Sequence, residues 1–270
     1  MHEILRHLPE SARVLDVGSR NGSFNAAQYP VHTIRLDLDA LHQTAAGDFV
    51  QADAARLPFP SHAFDAVIAN HSLEHFNRLD DAFRELGRVV KPEGSLYIAV
   101  PDASTFADRL YRWLASGGGH VNAFCSQKDL IAQTEHYTGL QFRAGRVLFT
   151  SLAMLNRRNR TAPAPRKLAL LGGGREGVLR LWSLISRLAD RCLGTRLSAY
   201  GWALYFGTLT EEVDRIPWSN VCVRCGAGCS SNWLLSSNQV RRKWLLKSYT
   251  CQGCGAWNFF TRDDAYVNLR

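Results

Sequence analysis

The chain has 270 residues, 46% of them hydrophobic and 21% charged, so it can bury a full core as one large domain or two smaller ones. Its charged opening, MHEILRHLPES, lacks the apolar stretch of a signal peptide, and no apolar run reaches the ~18 residues that span a bilayer, which together predict a cytoplasmic protein. Lys and Arg outnumber Asp and Glu by 32 to 24, a formal charge of +8; this excess favours anionic partners such as nucleic acid, phosphorylated metabolites or lipid headgroups without choosing among them.

In chain order, short apolar runs first alternate with helical stretches, the pattern of a parallel sheet covered by helices on both faces. A strand begins at Val14-Leu15, a helix is expected from about Gly22 to Tyr29, and VHTIRL (31–36) is a second strand ending at Asp37. Phe49-Val50-Gln51 leads to Asp53, and FDAVIAN (64–70) is a fourth, buried strand. Leu79 to Val90 places Ala82, Phe83, Leu86, Val89 and Val90 at helical spacing. Lys91-Pro92-Glu93-Gly94 stops that helix by removing a backbone donor and adding a flexible residue, and SLYIAVPD (95–102) is a fifth strand.

Beyond it, Gly117-Gly118-Gly119 reads as a flexible joint. SQKDLIAQTEHYTG (126–139) is a helix with Ser126 as N-cap and Gly139 just past its end, and FRAGRVLFT (142–150) is a strand. RRNRTAPAPRK (157–167) is a basic, proline-bearing connection, expected to be mobile. VLRLWSLISRLADRCLG (178–194) is an amphipathic helix with Leu181, Trp182, Leu184, Ile185 and Leu188 on its apolar side and Arg180, Arg187 and Arg191 elsewhere. The aromatic run YGWALYFGTL (200–209) is strand-like, and from residue 214 cysteines, glycines and tryptophans replace the alternating pattern.

Asp16, Asp37, Asp53 and Asn70 fall at the carboxyl ends of successive strands, the place where open α/β sheets bind ligands. Asp37 follows the glycine turn by about twenty residues, the offset at which a carboxylate accepts both hydroxyls of a ribose. The turn DVGSRNG (16–22) lacks the G-x-G-x-x-G form that cups a pyrophosphate, which disfavours NAD and leaves another nucleoside-bearing ligand.

Residues 14–102 resemble a class I S-adenosylmethionine-dependent methyltransferase of the type 11 kind. Asp16-Val17-Gly18-Ser19-Arg20-Asn21-Gly22 matches the first motif, with Arg20 where the family often has a middle glycine. Asp37 matches the ribose-binding acid, Asp53-Ala54 before Leu57-Pro58-Phe59 the adenine-edge motif, residues 64–75 the fourth-strand motif, and 86–101 the helix-turn-strand that follows. The resemblance implies a doubly wound, Rossmann-like α/β fold with seven strands. It would close with an antiparallel pair from 142–150 and 200–209, and a helical insert of about 151–198 would overhang the active-site rim. S-adenosylmethionine is the implied cofactor, held by Asp16, Gly18, Ser19, Gly22, Asp37, Leu38, Asp53, Ala54, Asn70 and His71.

Methyl transfer from a sulfonium is an in-line displacement that needs alignment, plus a base when the nucleophile carries a proton. A neutral histidine suits a hydroxyl acceptor; His120 is the first candidate and His75 the second. Asn70 is followed by His71-Ser72-Leu73 rather than the Pro-Pro-aromatic sequence of amino methyltransferases, which favours oxygen or carbon acceptors. The expected reaction is methylation of an oxygen on a small-molecule or glycan-type acceptor. The alternatives are methylation of RNA and a noncatalytic adaptor that docks a protein.

Cys222-x-x-Cys225-Gly and Cys251-x-x-Cys254-Gly supply four thiolates for a closed, structural zinc shell, as in a zinc ribbon. The chain is therefore read as a methyltransferase domain over 1–213 and a ribbon over 214–270, whose folding is linked to Zn2+. Arg224, Arg241, Arg242, Lys243 and Lys247 beside Trp233, Trp244 and Trp257 would allow the ribbon to grip nucleic acid, and the arginine-bearing helix 178–194 would allow peripheral membrane contact.

Overall fold

The structure, a computed structural model, describes residues 1–19, 22–40, 48–114, 119–159, 166–210, 213, 218–244 and 246–262. Arg20, Asn21, Gly117, Gly118, residues 160–165 of the basic connection and residues 214–217 and 263–270 of the ribbon segment lie outside them. The chain forms two compact units. One comprises residues 1–102, 119–145 and 202–215, the other 103–118, 146–201 and 216–270.

In the first unit, α1 (His2–Leu5) precedes β1 (Arg13–Val17), β2 (His32–Asp37), β3 (Asp48–Gln51) and β4 (Phe64–Asn70). Then come α2 (Leu79–Val89) and β5 (Val90–Pro101); after α3 (Phe106–Leu114) the chain returns through α4 (Gln127–Thr138). With β6 (Phe142–Phe149) and, beyond α5 (Glu176–Leu193), β7 (Ala199–Gly207), the sheet has seven strands in the order β3-β2-β1-β4-β5-β7-β6. Neighbours from β3 to β5 pair in parallel, so their five carboxyl ends share one edge. Strand order reverses between β1 and β4, the switch point at which sheets of this kind carry their ligand crevice.

The central strands are buried on both faces because their apolar runs are continuous: Val14, Leu15 and Val17 of β1, Ala66 to Ala69 of β4 and Leu96, Ile98 and Ala99 of β5 lie in the core. Helix α2 buries Ala82, Phe83, Leu86 and Val89, the face its periodicity predicts. Helix α4 has the expected caps. Ser126 accepts the Asp129 N–H at 3.2 Å, and Gly139 turns left-handed at φ 72°.

Two local expectations fail. The helix over Gly22 to Tyr29 is only a 3-10 turn, Ala26–Gln28, capped by Asn25. Gly22 sits at φ 94° and Pro30 disfavours helical backbone at Tyr29, so too few residues remain for a helix. Lys91 to Gly94 ends α2 as expected but does so as strand: β5 starts at Val90, and the ladder to β4 shifts register between Phe64 and Ala66, which accommodates the donor-less Pro92.

The second unit holds α3, α5 and the cysteine segment, which folds as β8 (Asn220–Val221), β9 (Gly228–Cys229), α6 (Ser231–Ser236), β10 (Val240–Lys243), β11 (Leu246–Thr250) and β12 (Trp257–Phe259). β8 pairs with β9, and β10-β11-β12 form an antiparallel sheet. Leu114, Leu152, Leu155, Leu168, Leu179 and Val223 make one apolar cluster. The ribbon segment thus shares a core with α3 and the insert, and this unit begins well before residue 214.

Helix α5 is amphipathic as its spacing predicts, and its apolar side is exposed. Leu181, Trp182, Ile185 and Leu188 are 52%, 42%, 47% and 44% exposed, while Leu179, Ser183, Arg187 and Asp190 are buried. The polar face packs because its groups are satisfied there. Asp190 accepts from Thr195, from the Leu197 and Ser198 N–H groups and from the Ser198 hydroxyl, and Arg187 donates to the Val221 carbonyl at 3.3 Å.

Candidate active site and cysteine centre

The crevice is built from the tips of β1 and β4. After Val17 the chain turns at Gly18, φ 67°, and the Gly18 N–H donates to the Leu36 carbonyl at 2.7 Å. A Cβ on Gly18 would stand 2.5 Å from the Cβ of Ser72, so glycine lets the first turn approach the turn after β4. Ser19 Oγ donates to the Asp16 carbonyl at 3.1 Å. Asp16 is 1% exposed and does not reach the crevice as a free carboxylate: it accepts the Ser23 N–H and hydroxyl, both at 2.7 Å, clasping the far side of the glycine turn. Burial pushes its carboxyl from 3.8 up to about 6, against the lowering effects of Ser23, Ser19 and Arg35.

Asp37 ends β2, is largely buried and accepts the Asp39 N–H at 3.1 Å, with Leu38 exposed beside it. Asp53 caps the next turn. Its carboxylate accepts the Ala55 N–H at 2.8 Å and pairs with Arg78 at 3.0 Å, and Ala55, then Arg78, hold it below the usual carboxylate range against the opposing effect of burial. Ala54 is buried behind it. Asn70 ends β4, and His71 follows in left-handed backbone, φ 54°, its N–H on the Ala99 carbonyl of β5 at 2.8 Å. Burial, then the neighbouring His120 and His75, pull its imidazole from 6.5 down to about 4, so the ring is neutral at neutral pH.

His75 and His120 come together: their rings lie 5.0 Å apart at 76°. His75 Nδ1 sits 2.9 Å from the Gly119 carbonyl, which fixes the N–H on that nitrogen and leaves Nε2 as an acceptor. Sequence reasoning missed Glu74, 1% exposed, whose carboxylate is 3.8 Å from His71 Nδ1. The spacing His71-x-x-Glu74-His75 carried the signal. The donors suit S-adenosylmethionine: a glycine turn with close backbone approach, an acid after β2 for a ribose, and polar groups at the tip of β4.

Residues 15–98 match the methyltransferase domain family. The chain is 29% identical over 190 residues to the malonyl-[acyl-carrier protein] O-methyltransferase of Methylococcus capsulatus, covering 61% of this chain and 69% of that one. It is 37% identical over 108 residues to the fatty-acid O-methyltransferase of Mycolicibacterium smegmatis, covering 35% and 38%. The YcgJ protein of Bacillus subtilis has a similar fold, with a TM-score of 0.50, 19% identity and coverage of 75% and 94%. These likenesses support a class I S-adenosylmethionine-dependent methyltransferase domain over the matched residues. The chain spans between 20% and 51% of the lengths of the other curated relatives it matches here. The strand order β3-β2-β1-β4-β5-β7-β6 is a doubly wound, seven-stranded, Rossmann-like sheet.

The second unit gathers Cys222, Cys225, Cys251 and Cys254 with all sulfurs within 4.8 Å of one another. Each pair sits on the same kind of turn. The Cys222 and Cys251 N–H groups bond the Ala227 and Ala256 carbonyls, and Gly226 and Gly255 take φ 76° and 69° to bring their N–H groups onto the Cys222 and Cys251 carbonyls. Burial opposes ionisation of Cys222, but the Cys225 and Arg224 N–H groups and the Asn258 amide outweigh it and hold its thiol below the usual range. Four convergent sulfurs with N–H donors at one of them fit a tetrahedral zinc ion. The ribbon's candidate gripping residues are partly engaged within the unit. Arg224 pairs with Glu176 at 2.7 Å, and Arg180 lies 4.3 Å over the Trp257 ring. No described helix is long and apolar enough to cross a membrane.

Proposed function

We propose that this methyltransferase moves the methyl group of S-adenosylmethionine onto a carboxylate oxygen of an acyl compound, forming a methyl ester. The observation that carries the reading is the close approach of the turns at Gly18 and Ser72 at the β1/β4 switch point, with Asp37 at the end of the neighbouring strand β2. Two relatives named as O-methyltransferases of malonyl-[acyl-carrier protein] and of fatty acid support an oxygen acceptor on an acyl group.

In this reading Asp37 accepts the ribose hydroxyls, Asp53 and Ala54 border the adenine, and the turn through Gly18, Ser19 and Gly22, held by Asp16, brings backbone N–H groups to the cofactor's amino-acid end. Asn70 and His71, at the tip of β4, would border the methyl group. The bound cofactor would supply an electrophilic methyl group, which the acceptor oxygen would take as the C–S bond breaks and its electron pair stays on sulfur. A carboxylate is already ionised at neutral pH, so no base is required. Both charges vanish in the step, which a crevice shielded from water favours. The ribbon's zinc, held by Cys222, Cys225, Cys251 and Cys254, has no open position and is structural.

A hydroxyl acceptor, on a small molecule or a glycan, is the second reading, favoured by the contact between His75 and His120, either of which would take the proton. Incubation with methyl-labelled cofactor, a long-chain fatty acid, a malonyl thioester and a pool of alcohols separates the two. Base-labile label released as methanol supports the ester reading, base-stable label the ether reading. Tight cofactor binding with no transfer to any acceptor would favour a noncatalytic adaptor.

A further inference from the structure

The geometry points to a second metal site in this chain, outside the cysteine centre: a divalent transition ion held by Glu74, His75 and His120. One carboxylate oxygen and one nitrogen from each imidazole lie within 4.8 Å of one another. Ions of this class bind at about 2.0–2.2 Å, so rotations of these side chains that close the trio by roughly an ångström complete the shell. Two imidazoles and a carboxylate select Mn2+, Fe2+, Co2+ or Zn2+ over Mg2+ and Ca2+, which take oxygen donors.

The trio is braced before any ion arrives. Glu74 and His75 lie on the short 3-10 turn after β4, and His120 on the segment that follows Gly119. The Val121 and Asn122 N–H groups donate to the Glu74 carbonyl at 2.8 and 3.0 Å, and the Asn122 amide donates to the Leu73 and Phe76 carbonyls, both at 2.8 Å. The Gly119 carbonyl at 2.9 Å from His75 Nδ1 is the outer partner that metal-binding histidines characteristically have, and it leaves Nε2 as the nitrogen for the ion. His71, its Nδ1 3.8 Å from the Glu74 carboxylate, stands where it would orient that ligand.

Three protein ligands leave coordination positions for water or an acceptor oxygen, the arrangement of catalytic rather than structural centres. Because the turn carrying Glu74 and His75 continues directly from Asn70 and His71, an oxygen on the ion would stand at the crevice. There the ion would orient an anionic acceptor or lower the pKa of a bound hydroxyl. This use of the ion rests on the O-methylation reading, whereas the ion's presence does not.

The test is a Co2+ titration of the full chain with zinc already in the cysteine centre, without cofactor or acceptor. We expect one further equivalent of Co2+ with visible ligand-field bands and no thiolate charge-transfer band. His75→Ala and His120→Ala should each weaken that binding more than tenfold while the circular dichroism spectrum is retained. Glu74→Gln should do the same, and the two histidine variants decide the matter should this buried substitution prevent folding. No further equivalent of Co2+, Mn2+, Fe2+ or Zn2+, Co2+ bound only with thiolate bands, or affinity unchanged in both histidine variants would each overturn the site. None of these readouts depends on turnover, so failure to esterify acyl acceptors leaves the metal result standing, and the reverse.

Discussion

Gly18 and Ser72 meet so closely that a methyl group added to Gly18 would come within 2.5 Å of the Ser72 Cβ. The turn after β1 and the turn after β4 are therefore locked in one spacing, and glycine at φ 67° is what permits it. Gly18→Ala should cost on the order of 1–3 kcal/mol in the coupled turn, combining left-handed strain with overpacking, and weaken S-adenosylmethionine binding accordingly. Ser72→Gly in the same chain should recover the overpacking part but not the strain. Calorimetric titration of the single and double variants checks this, and additive losses would show that the two turns are not coupled.

Asp37 should govern cofactor affinity from the neighbouring strand end. If its carboxylate accepts the ribose hydroxyls, Asp37→Ala removes charge-assisted hydrogen bonds of about 1.5–3 kcal/mol, and the cofactor dissociation constant should rise more than tenfold. An affinity equal to the parent's would take the ribose role from Asp37.

How much of this was legible in the sequence depends on where each residue's partners lie. The parallel half of the sheet was readable because β1 and β4 carry unbroken apolar runs that end in Asp16-Val17 and Asn70, and α4 because Ser126 and Gly139 mark both ends locally. The burial of α5 was not. Its apolar residues fix an amphipathic helix, but which face packs is set by Asp190 reaching Ser198 and Arg187 reaching Val221, contacts that no local spacing encodes. Glu74 was visible as part of a His-x-x-Glu-His spacing, yet its meeting with His120 depends on Val121 and Asn122 returning to the Glu74 carbonyl. The cysteine turns were legible because Gly226 and Gly255 follow the second cysteine of each pair, where left-handed backbone closes the turn.

Asp16 should leave a pH signature on the stability of the first unit. Its carboxyl is raised from 3.8 to about 6, so the folded chain holds a proton that the unfolded chain has released between those values. In that window the unfolded state binds fewer protons, and stability falls as pH rises. The contribution is fully present below the unfolded value and is lost once pH passes the folded one. Asp16→Asn, which keeps an acceptor for Ser23, should flatten this part of the profile. Urea midpoints from about pH 3.5 to 7, followed by a probe in β1 or β4, check it; parallel profiles for parent and variant would place the proton elsewhere.

Loss of zinc should reach beyond the ribbon. Val223, next to Cys222, packs with Leu155 and Leu179. Its carbonyl accepts the Asn156 amide at 2.9 Å, and Arg224 holds Glu176 of α5 at 2.7 and 3.0 Å. Four thiolates released from a metal would repel one another or take up protons, and the turns that position Val223 and Arg224 would open. Cys251→Ser or chelation should therefore remove about one zinc per chain, and amide-exchange protection should fall in α5 as well as in β10-β11-β12. The amides of β1 and β4 should keep their protection, because their ladder lies within the first unit. Protection lost only after residue 218 would mean that α5 is held by its Asp190 network without help from the cysteine centre.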